Sequence, residues 1–259
     1  MKISIQKKNL IIWAMPILFL TIQIFPEYIS FYTACVFFLI SIFLKNIRKH
    51  ILLLALSSLG YFIYKTLSPI ISNVTENPML EPTLERFALI GYIAVFVIWK
   101  FSSKTKFVYL GLGNAKNIIQ FPLIWRGKKE PIWRFILIFC CICAVPLCVG
   151  IFTTKPPLSL LGYGLLFALV NSILEEIIWR GLILQNTVNL IGEKQALLIT
   201  ALAFGIYHLS LGFPLWACLI FSIGGIYMGG AAIISKGLLA PFIMHIFVNL
   251  IFVVYGVIL

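Results

Sequence analysis

The sequence predicts an all-α, polytopic transmembrane helical bundle with about 8–9 spans. Hydrophobic residues make up 61% of the 259 positions and charged residues only 11%. Soluble domains are about half apolar and about a quarter charged. The apolar residues form continuous runs, without the alternation expected of barrel strands, so we expect helices that use lipid as their solvent.

Nine apolar runs predict the helices in order. The first run follows a short basic N-terminus and has no small-residue cleavage site after it, so we expect an uncleaved helix rather than a signal peptide. Each run is about as long as a helix needs to be to cross ~30 Å of hydrocarbon. The runs cover residues 9–25, 28–44, 51–70, 87–101, 132–152, 158–186, 196–212, 214–235 and 238–258.

The net charge of +12 lies mostly in the gaps between these runs. Basic gaps alternate with gaps that are poor in Lys and Arg, a pattern typical of cytoplasmic loops facing anionic lipid. We therefore expect a multi-pass integral membrane protein with a cytoplasmic N-terminus and no nucleic-acid partner. Its composition, rich in Ile, Leu, Lys and Phe, favours a bacterial cytoplasmic membrane. The basic gaps contain Lys2, Lys7, Lys8, Lys45, Arg48, Lys49, Lys100, Lys104, Lys106, Lys116, Arg126, Lys128, Lys129, Lys194 and Lys236.

Two units are predicted along the chain. Residues 1–130 form an N-terminal transmembrane unit that ends in a basic, interfacial segment at about 107–131. Residues 131–259 form the second unit. No functional motif is found in the first unit, which either shapes substrate access or enlarges the bundle.

Ionisable residues inside the C-terminal runs form the candidate functional centre, because such groups are costly at membrane depth. Residues four apart share a helical face, whereas adjacent residues point about 100° apart. Counting ~1.5 Å per residue from the predicted cytoplasmic helix ends places the key polar groups about 10–18 Å deep. The motifs are Glu175-Glu176-x-x-x-Arg180, Phe204-x-x-x-His208 and His245-x-x-x-Asn249.

These residue types favour hydrolysis. A buried carboxylate beside an imidazole can activate water as a general base, and a His and an Asn on one face can hydrogen-bond an oxyanion. Arg180 can neutralise Glu176 and hold it in place. The alternative for that pair is a structural clamp, and a single His in a span often serves only to link helices. The chain has no Asp, no His-Glu-x-x-His and no Gly-x-Ser, which counts against other intramembrane proteases.

In this order and at these separations, the three motifs resemble the CAAX-protease and bacteriocin-processing (CPBP, or ABI) family, which is related to the type II CAAX prenyl endopeptidases. The resemblance covers roughly residues 130–259. It implies an intramembrane endopeptidase that cuts a peptide bond in a membrane-associated peptide or a protein terminus. It further implies that Glu175 and His208 activate the water and that His245 and Asn249 hold the oxyanion. By the same resemblance, Glu176, Arg180 and Phe204 support the site.

Two questions stay open at this stage. We expect no metal, because the face shared by His245 and Asn249 suits oxyanion binding and no carboxylate partner for either His is evident. The alternative is a catalytic zinc held by Glu175, His208 and His245. The alternative function is a non-catalytic membrane immunity or scaffold protein of the same family. The expected partners are the lipid bilayer and a peptide or protein substrate.

Overall fold

The computed structural model describes residues 10–103 and 107–259. Part of the orientation prediction depends on basic residues that lie outside these described ranges. Asn9, the first position of the first predicted run, also lies outside them. Those basic residues are Lys2, Lys7, Lys8, Lys104 and Lys106.

Helices account for most of the described chain. A π-helix, Ile177–Leu184, joins the seventh helix to the eighth, and short 3-10 turns occur at Lys45–Ile47, Val108–Leu110 and His208–Leu211. In chain order the helices are α1 (Met15–Ile24), α2 (Glu27–Phe43), α3 (Arg48–Ser72), α4 (Glu81–Arg86), α5 (Leu89–Ser103), α6 (Ile132–Thr154), α7 (Leu158–Glu176), α8 (Gln185–Ile191), α9 (Glu193–Tyr207), α10 (Leu215–Ser235) and α11 (Leu239–Val254).

Five helical stretches in the described residues are long and apolar enough to cross a membrane. The protein is thus a helical, multi-pass membrane protein, in agreement with the predicted class. Three shorter apolar helices accompany them, at Leu10–Ile24, Glu27–Phe43 and Leu239–Val254. The count of 8–9 spans stays a prediction. The five stretches are Lys45–Ser72, Ile132–Thr154, Leu158–Ile191, Glu193–Leu211 and Leu215–Ser235.

A small β-hairpin departs from the all-α prediction. Strands β1 (Ile118–Pro122) and β2 (Gly127–Pro131) pair antiparallel inside the segment predicted to be interfacial. Gly127 has a φ of 128°, and a side chain there would collide with the Phe121 carbonyl, so the turn requires glycine. Hydrogen bonds from Lys128 and Arg134 lower the pKa of Glu130 on β2.

The segment before the hairpin is attached to the turn between α10 and α11. The Asn117 side-chain amide donates to the Ile234 carbonyl at 2.7 Å. The backbone N–H of Leu238 donates to the Gly111 carbonyl at 2.8 Å. These bonds satisfy backbone groups at the end of one helix and the start of the next, which have no partner within their own helix. The segment therefore fixes the start of α11, the helix that carries His245.

The N-terminal helices pack directly on the C-terminal ones. Helix α1 lies against α9, and α4 lies against α7. The Phe19 ring contacts the Trp179 ring with centroids 5.2 Å apart. Buried apolar residues from both sides of residue 130 belong to one continuous core. The division into two units at residue 130 stays a prediction.

Helices α9 and α10 approach each other closely at Gly205. A Cβ atom at this position would lie 2.8 Å from the Ser222 backbone nitrogen, and nearer still to the Ser222 hydroxyl and the Cys218 carbonyl. Only glycine allows this approach without displacing backbone. Because His208 begins the 3-10 turn one helical turn later, the contact at Gly205 sets where that imidazole lies.

Candidate active site

Most of the predicted site residues line one cavity of about 620 Å³. Three separate parts of the chain meet there: the end of α7, the end of α9 with its 3-10 turn, and α11. Glu176 and Arg180 do not line the cavity. The predicted residues that do line it are Glu175, Phe204, His208, His245 and Asn249.

The two adjacent glutamates occupy different environments, as their angular separation on a helix predicts. Both carboxylates are buried, and both residues end α7 immediately before the π-helix. Glu175 faces the cavity, and its Oε2 atom has no hydrogen-bond partner among the described residues. Glu176 Oε1 instead accepts a hydrogen bond from Arg180 Nη1 at 2.8 Å. Helices with π geometry occur often at functional sites.

His245 is oriented by Glu176. Its Nδ1 atom lies 2.7 Å from Glu176 Oε1, so the imidazole donates Nδ1–H to that carboxylate. The other ring nitrogen, Nε2, lies 3.8 Å from Glu175 Oε2. The expectation that neither His has a carboxylate partner was therefore wrong. The contact joins α7 to α11, and spacing within either helix alone does not reveal it.

His208 is oriented by its own helix. Its Nδ1 atom lies 2.8 Å from the Phe204 carbonyl oxygen. A carbonyl oxygen only accepts, so Nδ1 carries the hydrogen, and Nε2 of the neutral ring keeps its lone pair. The imidazole stacks on the Phe221 ring, with centroids 4.2 Å apart. These contacts hold a basic nitrogen in a fixed orientation at the cavity.

The Phe204 ring lies between the Arg180 guanidinium and the imidazole rings of His208 and His245. The Arg180 guanidinium lies over its ring, 4.4 Å from the centroid. The ring makes edge contacts with His208, at 4.8 Å between centroids, and with His245, at 6.1 Å. A cation over an aromatic face is attracted by the negative charge of that face. Phe204 thus packs the buried ion pair against both imidazoles.

Asn249 is held by a neighbour that sequence reasoning missed. Its Nδ2 atom donates to the Ser172 hydroxyl at 3.0 Å. Ser172 lies on α7, one helical turn before Glu176, and is fully buried. The sequence could have indicated Ser172 as a site residue, because it precedes Glu176 by four residues and therefore lies on the same helical face.

The residues expected to hold zinc under the alternative hypothesis do not form a ligand cluster. Within residues 10–103 and 107–259, no three His, Cys, Asp or Glu side chains are arranged to hold a metal ion. The carboxylate partner of His245 resembles the support that metal-bound imidazoles usually have. The choice between a metal-free site and a zinc site stays a prediction.

Comparison with known families adds an independent result. Residues 157–251 match the family model described as type II CAAX prenyl endopeptidase Rce1-like. The predicted family resemblance is confirmed. The family is one of endopeptidases, so the match implies a protease, and all seven predicted site residues lie in this Rce1-like region. Searches of curated proteins and of solved structures found no significant match.

Glu85 and Arg86 are charged cavity residues that lie outside the Rce1-like region and were missed from the sequence. Arg86 Nη1 lies 4.0 Å from Glu175 Oε1, and Glu85 Oε1 accepts a hydrogen bond from the Ser68 hydroxyl at 2.6 Å. Both residues lie in the gap between the predicted apolar runs 51–70 and 87–101, where no functional residue was expected. Because both residues directly precede the apolar run at 87–101, the sequence could have indicated that they lie close to the membrane-spanning part of the protein.

Proposed function

We propose that this protein is an intramembrane endopeptidase that hydrolyses a peptide bond in a membrane-associated peptide or a protein terminus. The observation that carries the proposal is the single cavity lined by Glu175, His208, His245 and Asn249. The Rce1-like match supports the same class of reaction. The proposed setting is a bacterial cytoplasmic membrane, with the N-terminus in the cytoplasm.

In the proposed reaction, Glu175 and His208 activate the attacking water. Glu175 offers Oε2, a buried oxygen without a hydrogen-bond partner among the described residues, and His208 offers the lone pair of Nε2. The water loses a proton to this pair as its oxygen attacks the carbonyl carbon. The proton then passes to the leaving amine, so the peptide bond breaks and one water is consumed.

His245 and Asn249 hold the oxyanion in this proposal. Asn249 has a second Nδ2 hydrogen besides the one that it donates to Ser172, and that hydrogen can reach a ligand oxygen. His245 can donate from Nε2 only when both of its nitrogens carry hydrogens. The hydrogen bond from Nδ1–H to the Glu176 carboxylate holds the ring so that Nε2 faces the cavity side of the site, 3.8 Å from Glu175 Oε2.

We propose a metal-free reaction, because the chain's own groups supply a base, an acid and hydrogen-bond donors. The test is cleavage of a library of lipid-anchored peptides by purified full-length protein, with and without chelator. The Glu175→Gln and His208→Ala variants are expected to lose cleavage by about 100-fold or more, as is typical for loss of a general base. Chelator is expected to leave the wild-type rate unchanged.

The matched control is Glu193→Gln, which alters an exposed glutamate at the start of α9. This variant is expected to cleave at the wild-type rate. Full cleavage by a folded Glu175→Gln protein would contradict the proposal. If the substitutions change only the amount of protein in membranes, the non-catalytic immunity or scaffold role is favoured. Loss of activity with chelator would favour zinc.

A further inference from the structure

Arg86 is a buried cation in the cavity, and it comes from outside the Rce1-like region. It ends the short helix α4, which packs on α7 beside Glu175. Its side chain is only 9% exposed, yet the residue lines the same cavity as the predicted catalytic residues. The N-terminal part of the chain therefore contributes a charged group directly to the site.

At least one hydrogen-bond donor of the buried Arg86 guanidinium is unused in the part of the chain that the structure describes. Its Nε atom has no hydrogen-bond partner there. The nearest carboxylate oxygens are Glu85 Oε2 at 3.8 Å and Glu175 Oε1 at 4.0 Å, both beyond hydrogen-bond distance. Glu85 instead accepts hydrogen bonds through Oε1, from Ser68 at 2.6 Å and from Tyr64 at 3.5 Å.

The second buried arginine of the site provides a contrast. Arg180 bonds to Glu176 at 2.8 Å, contacts the Met228 sulfur at 3.7 Å and lies over the Phe204 ring. The charge of Arg180 is therefore paired by groups within the protein. Arg86 has more distant neighbours: the Phe167 ring, 5.9 Å away at its centroid, the two flanking carboxylates, and the side chains of Tyr64 and Tyr207.

A guanidinium has five N–H donors in a planar fork that matches the two oxygens of a carboxylate. A buried guanidinium without acceptors is costly, and a ligand that supplies acceptors removes that cost. Lys65 adds a second cation to the cavity lining. We infer that Arg86 binds a carboxylate group of the substrate. This inference rests on the proposed peptidase function and adds a substrate feature to it.

The position of Arg86 limits where that carboxylate lies. Its guanidinium is 4.0 Å from the carboxylate proposed to activate water, and one extended residue spans ~3.3–3.6 Å. The bound carboxylate is therefore within a few residues of the cleaved bond. It comes either from the free C-terminus of the substrate or from an Asp or Glu side chain near that bond.

The experiment compares three lipid-anchored peptides, built on one parent sequence, as substrates of the full-length protein. The first has a free C-terminal carboxylate, the second a C-terminal amide, and the third an amide with an added Asp next to the last residue. Charged hydrogen bonds contribute enough that we expect wild type to prefer a carboxylate peptide by about ten- to hundredfold in kcat/KM. Whether the first or the third peptide is preferred identifies the source of the carboxylate.

The variants are Arg86→Gln and Arg86→Lys, with Arg126→Gln as an exposed control. We expect Arg86→Gln to abolish the preference by raising KM for the carboxylate peptide, and Arg86→Lys to retain part of it. Equal slowing of all three peptides, with an unchanged preference, would show that Arg86 only supports Glu175 and would overturn the inference. Equal use of all peptides by wild type would overturn it without any variant.

Failure of the proposed peptidase function is recognised separately by measuring binding of the same fluorescent peptides. If wild type cleaves none of them but binds carboxylate peptides more tightly, and loses that difference in Arg86→Gln, the carboxylate site stands and the peptidase proposal fails. If peptides are cleaved without any carboxylate preference in rate or binding, the peptidase proposal stands and the carboxylate site fails.

Discussion

At the scale of single residues, the site depends on one carboxylate with two partners. Glu176 Oε1 accepts from Arg180 at 2.8 Å and from His245 Nδ1 at 2.7 Å, and Glu176 is fully buried. It therefore neutralises a buried cation and orients an imidazole at once. Helical spacing predicts the first contact, because the two residues are four apart in sequence. The second contact joins residues 69 apart and depends on how α7 and α11 pack, which spacing does not specify.

We expect Glu176→Gln to destabilise the protein by about 3–5 kcal/mol, because it leaves the buried Arg180 charge without a counter-ion. The double variant Glu176→Gln with Arg180→Met is expected to recover most of this loss, since it removes both charges. Unfolding in mixed micelles of increasing SDS measures both changes. The exposed Glu193→Gln substitution serves as the control. Equal stability of Glu176→Gln and wild type would show that the pair contributes little.

At the scale of elements, close helix contacts set the position of His208. The approach of α9 to α10 at Gly205 leaves no room for a methyl group. Continuous apolar runs predicted both helices, because their length and composition suffice for that. The hairpin at Ile118–Pro131 was not predicted, because its strands are five residues each and depend on a glycine turn and on contacts with the α10–α11 turn.

We expect Gly205→Ala to destabilise the protein by about 1–3 kcal/mol or more, because the added methyl group overlaps backbone atoms of α10. Cleavage is expected to fall with it, since the shift displaces His208. Gly162→Ala is the matched control: it alters a helical glycine of α7 that has nothing within 4 Å of the added atom. Thermal unfolding in detergent compares the two variants. Indistinguishable midpoints would refute the packing argument.

At the scale of the whole molecule, the N-terminal helices are part of the same folded core as the candidate site. Phe19 contacts Trp179, and Arg86 reaches the cavity that Glu175 lines. The motifs identified the three C-terminal parts of the site because their residue types are rare in membrane spans. The contribution of α4 was missed, because its charged residues follow a polar loop and only tertiary packing brings them to the cavity.

We expect residues 131–259 expressed alone to yield little folded protein and no cleavage, because the fragment exposes the surface that α1 and α4 cover and lacks Arg86. Co-expression with residues 1–130 is expected to restore both. Size-exclusion chromatography in detergent and the peptide assay measure these outcomes. Cleavage by the isolated fragment at the rate of the full chain would show that the N-terminal helices are dispensable.

The π-helix at Ile177–Leu184 constrains the length of the chain between two fixed points. Upstream lies Glu176, bound to His245, and downstream lies Gln185, whose side chain accepts the Tyr109 N–H at 2.8 Å. A π-helix bonds each residue to the fifth along, so loss of one residue would convert a turn to α geometry. The residues after such a deletion would keep nearly their present helical phase relative to Glu176, because a π turn holds one residue more than an α turn at nearly the same rotation. The eight residues of the π-helix thus set the rotation of Gln185 relative to Glu176. Through Gln185 they also position Tyr109, in the segment that leads into the hairpin, relative to the site.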